Sequence, residues 1–219
     1  MTTVTHDKAI ELRTGVSWDE YVKASDSNED GPRMTYDNGT LIVMSPEYIH
    51  EGGAELLSAI VRAVAEAFAV DFASARSTTF RRAGDGPEIG SGKEPDASFY
   101  LGANERRIRG KTTIDLDVDP PPDLAIEVEN KGYSDYALPV YAGLRVPEVW
   151  RYDARGPNLW FGRLVGEAYE SIDRSVCLPS LTPGLVLQTL EAFELGMGER
   201  LWLGWLRAWA QSLAEGRAD

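Results

Sequence analysis

The stretch PPPDLAIEVENKGYSDYALPVYAGLRVPEVWRYD (residues 120–153) reads as strand, short helix, strand, and the rest of the fold is built outward from it. DLAIEVE (123–129) and VPEVWRYD (146–153) are the two strands. Side chains two apart on a strand share a face, so Glu127 and Glu129 point one way and Val128 the other. A strand that buries Leu124 and Ile126 while placing two acids on its opposite face calls for a partner to those acids. DASFYL (96–101) is a further strand, opened by Asp96 directly after Pro95. Were the two strands adjacent, three carboxylates would converge at one end of the sheet. Like charges that close repel, and a hard divalent cation is the ordinary remedy. Mg²⁺ or Mn²⁺ favours carboxylates, a backbone carbonyl and water in an octahedral shell.

Upstream, SWDEYVKAS (17–25) predicts a short helix with Ser17 as N-cap and Glu20 completing a capping box. RMTYDNGTLIVMSP (33–46) predicts a hairpin about Asn38-Gly39. From Glu47 to Ala69 the period becomes helical, with Leu56, Leu57, Ile60, Val61, Val64 and Phe68 as the apolar stripe. DFASARSTTFRR (71–82) reads as one strand, AGDGPEIGSGKEP (83–95) as a Gly/Pro loop, and residues 104–122 as an irregular excursion. The loop lacks the GxxxxGK[ST] spacing of a phosphate loop. Asp115, Asp117 and Asp119 alternate without a Ca²⁺-loop pattern and read as a solvated edge. NLWFGRLV and EAYESID form a meander, and ERLWLGWLRAWAQSLAE (199–215) a terminal helix. The expectation is α/β (α+β), a mixed sheet flanked by helices. We divide it into a domain over 1–195 and a Trp-rich C-terminal helix over 196–219.

The chain has 219 residues, 43% hydrophobic and 26% charged, the profile of a folded domain. No apolar run reaches the roughly 18 residues of a membrane helix, and MTTVTHDKAI lacks the apolar core of a signal peptide. Cys177 is the single cysteine, which excludes an internal disulfide and a cysteine-based zinc site. These features lead to the expectation of a cytoplasmic protein without membrane partners. The formal charge of −13 argues against a general nucleic-acid coat protein.

Taken in order, EPD (94–96), PPPDLAIEVE (120–129) and VYAGLRVPEVWRYD (140–153) resemble the Uma-two family of restriction-endonuclease-like proteins, abundant in cyanobacteria and their neighbours. The family lies within the PD-(D/E)xK nuclease-like superfamily. YDNGTLIVMSP, the pair His50-Glu51 and STTFRR extend the match, so that it spans roughly residues 15–175. The resemblance implies a restriction-endonuclease-like core with acids on two neighbouring strands binding one or two Mg²⁺ or Mn²⁺ ions. Asp96 matches the Asp of the PD motif and Glu127 the acid of (D/E)xK. The motif lysine should stand at position 129, where this chain has Glu129, which we assign as a further ligand or a residue positioning the attacking water. The helical position that carries a lysine in some relatives aligns near Ala137. Lys131, Lys93 and Arg81 are the candidates to replace it, with Lys131 placed in the catalytic set. An acid on the long helix often completes the metal shell in this superfamily, which points to Glu51 ahead of His50.

Residues 76–111 hold eight basic against five acidic side chains, the one stretch able to track a phosphate backbone. Within it Arg81, Arg82 and Lys93 are the expected nucleic-acid contacts. In the terminal helix Trp202, Trp205, Leu206, Trp209 and Leu213 form one stripe, to be covered by the main domain or by a second copy in a homodimer. The resulting expectation is a Mg²⁺- or Mn²⁺-dependent endonuclease hydrolysing phosphodiester bonds in DNA. The alternative is a nuclease fold that has lost catalysis and serves as a nucleic-acid-binding or protein-interaction module.

Overall fold

The structure is a computed structural model that describes residues 3–7, 10–28, 31–45, 48–129, 136–156 and 158–216. Two six-stranded sheets form among these residues. The second contains the expected pair, β9 (Leu124–Glu129) and β10 (Glu148–Asp153). They run parallel, with Glu127 opposite Arg151, and α4 (Ala137–Leu144) lies in the crossover that a parallel pair requires. β8 (Ala97–Leu101) pairs antiparallel with β9, and β5 (Phe72–Ser74) with β8. On the far side β11 (Asn158–Val165) and β12 (Ala168–Ile172) continue the sheet as a meander. This sheet is mixed, as the patterning predicted.

The other sheet is antiparallel throughout, in the order β1 (Thr3–Asp7), β2 (Ile10–Thr14), β4 (Thr40–Met44), β3 (Arg33–Asp37), β7 (Gly90–Lys93), β6 (Phe80–Ala83). Its hairpin β3–β4 turns at Asn38 (φ 42°) and Gly39 (φ 86°), the paired positive φ values of a two-residue turn. The Asn38 side chain also accepts the backbone N–H of Gly90 at 3.1 Å, tying the turn to β7. The expected single strand over 71–82 is two strands in different sheets. Arg76, at φ 51°, lies in the turn that divides them.

The expected loop over 83–95 contains β7, and its glycines have a packing reason. α1 (Trp18–Asp26), capped by Ser17 and Glu20 as predicted, lays Trp18 and Tyr21 directly on this strand. A Cβ at Gly90 would come within 2.6 Å of the Trp18 ring, and one at Gly92 would overlap the Tyr21 ring. The opposite face of β7, with Ser91 and Lys93, faces α4, where a Cβ on Gly143 would overlap Ser91. Glycine thus marks a strand pressed between two helices, and Lys93 points inward because Gly92 points toward α1.

α2 (Tyr48–Ala67), α5 (Pro183–Glu194) and α6 (Glu199–Ala214) cover one face of the mixed sheet. Leu57, Ile60, Val61 and Val64 of α2 pack there with Leu124, Ile126 and Val128. α6 adds Trp202 and Leu206, both buried, while Trp205 on its flank is 37% exposed. The opposite face is not solvated either: Ala125 and Tyr100 pack with Val140, Tyr141 and Leu144 of α4 and with Phe80. Within 104–122 the structure forms α3 (Ala103–Ile108). Of the three alternating aspartates, Asp115 and Asp117 are exposed. Asp119 is buried, paired with Lys111 and accepting the N–H of Asp115, so the solvated-edge expectation fails there. No helix of the described residues is long and apolar enough to cross a membrane.

Candidate active site

Ala125, Glu127 and Glu129 share the face of β9 that looks toward α4 and the antiparallel sheet, opposite Leu124, Ile126 and Val128. Three residues, Glu94 to Asp96, carry the chain from β7 in one sheet to β8 in the other. Asp96 is therefore set at the start of β8, and its Oδ2 accepts the N–H of Val128 at 2.7 Å. That bond continues the β8–β9 register beyond Ala97–Ile126 and places Asp96 beside Glu127. The two acids singled out in the sequence thus meet on neighbouring strands.

Neither faces the other uncompensated. Arg33 of β3, itself buried, directs Nη1 to Asp96 Oδ1 in a close ion pair and Nη2 to Glu51 Oε1 at 2.6 Å. Glu51 reaches this point because the first turn of α2 lies on the end of β9. A Cβ on Gly53 would come within 2.9 Å of Val128. Lys93 Nζ lies 3.2 Å from Glu127 Oε2, its side chain 7% exposed, and the Tyr141 hydroxyl donates to Glu127 Oε1. Burial and the adjacent Glu127 carboxylate push the Tyr141 hydroxyl well above its ordinary pKa, so it remains a donor. Glu129 is held apart from this group, its Oε1 taking Arg151 Nε at 2.6 Å. Asp96 is nearly enclosed, whereas the Glu51 side chain is 57% exposed, so the site opens to solvent at the α2 end.

The expected nucleic-acid contacts take separate places. Arg81 donates to Asp26 at 2.6 Å and to Ser25 at 2.8 Å, and Arg82 to the carbonyl of Leu116 at 2.9 Å. Of the three, Lys93 lies at the acids. Lys131 and the side chain of His50 fall outside the described residues. Sequence reasoning missed Arg33 and Tyr141. The signal for Tyr141 was its place in VYAGLRVPEVWRYD, one turn after Ala137. A buried acid elsewhere, Glu148, is used by the fold: it accepts from Trp150 Nε1 and from the N–H groups of Val176 and Cys177.

Asp96 and Glu127 offer the hard oxygen donors that Mg²⁺ or Mn²⁺ takes, and the donor chemistry fits such an ion. Among the described residues, however, no three His, Cys, Asp or Glu side chains gather as a group able to hold a metal. Each acid is held on a cation of the chain instead.

A mixed sheet carrying two acids on neighbouring strands, with helices packed on its faces, places the chain among restriction-endonuclease-like α+β folds. It belongs to the Uma2 family, described as "Putative restriction endonuclease", whose profile matches residues 18–197. Among solved structures it is similar to the crystal structure of "a putative nuclease belonging to DUF820" from Anabaena variabilis. The TM-score is 0.50 and the identity 18%, over 79% of this chain and 98% of that one. No match is found among the curated proteins.

Proposed function

We propose that the chain is a divalent-metal-dependent endonuclease that hydrolyses phosphodiester bonds in DNA. The observation that carries this reading is the meeting of Asp96 and Glu127 on neighbouring strands, both nearly buried, with Asp96 linked through Arg33 to the solvent-facing Glu51. Membership of a family described as restriction endonucleases supports it. A bound Mg²⁺ or Mn²⁺ would supply a Lewis acid for the attacking water and the scissile phosphate. Asp96 and Glu127 would hold the ion, and Glu51, which rests on Arg33 at the solvent side and not in a group with them, is the further acid that the family resemblance offers. Val128 N–H and Tyr141 fix the orientation of the two carboxylates. Glu129, two residues along the same face, would position water from its place on Arg151. The test is nicking of supercoiled plasmid by the purified chain in Mn²⁺. Wild type should nick and Asp96→Ala should not; an inactive wild type, or an equally active variant, refutes the reading.

One observation favours a second reading. Arg33, Lys93 and Arg151 already compensate Asp96, Glu51, Glu127 and Glu129 within the chain. A fold whose clustered acids are paired with its own cations would serve as a binding module without catalysis. Calorimetry separates the two: the nuclease reading requires Mn²⁺ to bind wild type and to bind Asp96→Ala far more weakly.

A further inference from the structure

Hydrolysis of a phosphodiester needs positive charge where the phosphorane charge develops, and four arginines named above are held by other partners. Arg81 is held by Asp26 and Ser25, Arg82 by the Leu116 carbonyl, and Arg151 by Glu129. Arg33 is spanned between Asp96 and Glu51. Three features single out Lys93. Its ammonium contacts Glu127 directly, at 3.2 Å. Like Arg33, and unlike Arg151, it is carried by a strand of the antiparallel sheet, so it approaches the acids from across the site. Its direction is fixed by packing, since Gly92 must face Tyr21 and Ser91 must face Gly143. Burying a lysine this deeply is costly without a counter-charge, and Glu127 provides one.

We propose that Lys93 is the residue that donates positive charge to the scissile phosphate, taking from β7 the part for which neither Glu129 nor Ala137 has the chemistry. In the free protein its ammonium rests on Glu127 and over the Tyr141 ring, 5.9 Å from the centroid. A phosphate brought to Glu127 comes within reach of the same ammonium. No covalent step at Lys93 is involved; it contributes charge and hydrogen bonds only. This inference rests on the nuclease reading above.

The experiment compares wild type with Lys93→Arg, Lys93→Gln and Lys93→Met, using single-turnover nicking of supercoiled plasmid in Mn²⁺. Melting temperature and Mn²⁺ calorimetry are measured on each protein. Gln keeps a donor for Glu127 but loses the charge, whereas Arg keeps both. Charge donation predicts that Gln and Met both slow the reaction about a hundredfold, with Arg within about tenfold of wild type. A purely structural role would rank the rates by melting temperature and leave Gln close to Arg. A folded Gln variant at wild-type rate overturns the inference, as does a folded Arg variant as slow as Gln. Should Gln and Met fail to fold, the Arg variant decides: a folded Arg variant within about tenfold of wild type supports charge donation by Lys93, and one slowed about a hundredfold overturns it. A wild type that never nicks refutes the nuclease reading, and this inference with it; nicking by wild type with an unaffected Gln variant refutes the inference alone.

Discussion

The guanidinium of Arg33 bridges the carboxylates of Asp96 and Glu51, one nitrogen to each. A planar guanidinium between two acids does what a divalent cation would do there: it cancels their repulsion. Carboxylates gathered at this locus would repel if nothing compensated them, and in the structure Arg33, Lys93 and Arg151 pair with them. Arg33→Gln should therefore destabilise the metal-free protein by about 3 kcal/mol, the cost of stranding a buried charge. Mn²⁺ should recover more melting temperature in the variant than in wild type, since the competing cation is gone. Denaturation in EDTA and in Mn²⁺ measures both. Equal metal effects in the two proteins would show that Arg33 and the metal do not compete.

The companion substitution, Asp96→Asn, tests the same network from the acid side. Asn keeps an acceptor for the Val128 N–H but leaves Arg33 without its nearly enclosed partner. In EDTA the variant should lose stability, by about 1–3 kcal/mol. A gain would restore the view that the acids repel one another in the folded chain.

Gly92→Ala probes the strand that brings Lys93 to the site. The added Cβ would overlap the Tyr21 ring, which is fully buried and stacked on Tyr36 at 4.8 Å. Overpacking of this kind costs about 1–3 kcal/mol. Gly52→Ala, in a helix and with nothing within 4 Å of the new Cβ, should be neutral or slightly stabilising. Urea denaturation of the pair checks the contrast.

Why β7 escaped the sequence reading follows from the same contact. Periodicity detects strands by their apolar alternation, and GSGK has none, because the side chains that would alternate are displaced by Trp18 and Tyr21 of α1. The acids of β8 and β9 were legible because Asp96 and Glu127 interrupt otherwise apolar strands, and alternation assigns their face. The capping box at Ser17 and the Asn38-Gly39 turn were legible because their chemistry is local. Arg33 was not: its role depends on β3 and the start of α2 converging on the end of β9, and no spacing along the chain encodes that. Nor was the break in 71–82, since FAS and FRRA both favour strands and only their assignment to different sheets separates them.

The terminal helix should divide sharply under mutation. Trp202 is fully buried, donates Nε1–H to the Thr189 carbonyl at 2.8 Å and packs edge-on against Phe193. Trp202→Ala should cost about 3–5 kcal/mol through the cavity it leaves. Trp205 is 37% exposed and stacks on Trp209, so Trp205→Ala should cost under about 1 kcal/mol in the isolated chain. A large loss at Trp205, dependent on protein concentration, would mean that a second copy covers that flank.

Glu94 gives the site a pH dependence with a definite sign. It lies between Lys93 and Asp96, and burial raises its carboxyl above the usual range. The Thr79 hydroxyl at 3.2 Å and the charges of Arg33, Lys93 and Arg81 offset this only in part. A raised folded-state pKa means that the folded chain holds the Glu94 proton more tightly than the unfolded chain. Its stabilising contribution is thus complete in acid, below the unfolded carboxylate pKa, and is lost as pH rises through the raised value. Glu94→Gln should therefore melt at a higher temperature than wild type at pH 7.5, with the difference vanishing near pH 4. Gln retains an acceptor for Thr79, so the comparison isolates the charge. If Glu94→Gln were less stable at pH 7.5, attraction to Arg33, Lys93 and Arg81 would outweigh burial. Glu94 would then belong with Asp96 and Glu127 among the acids that hold these cations in place.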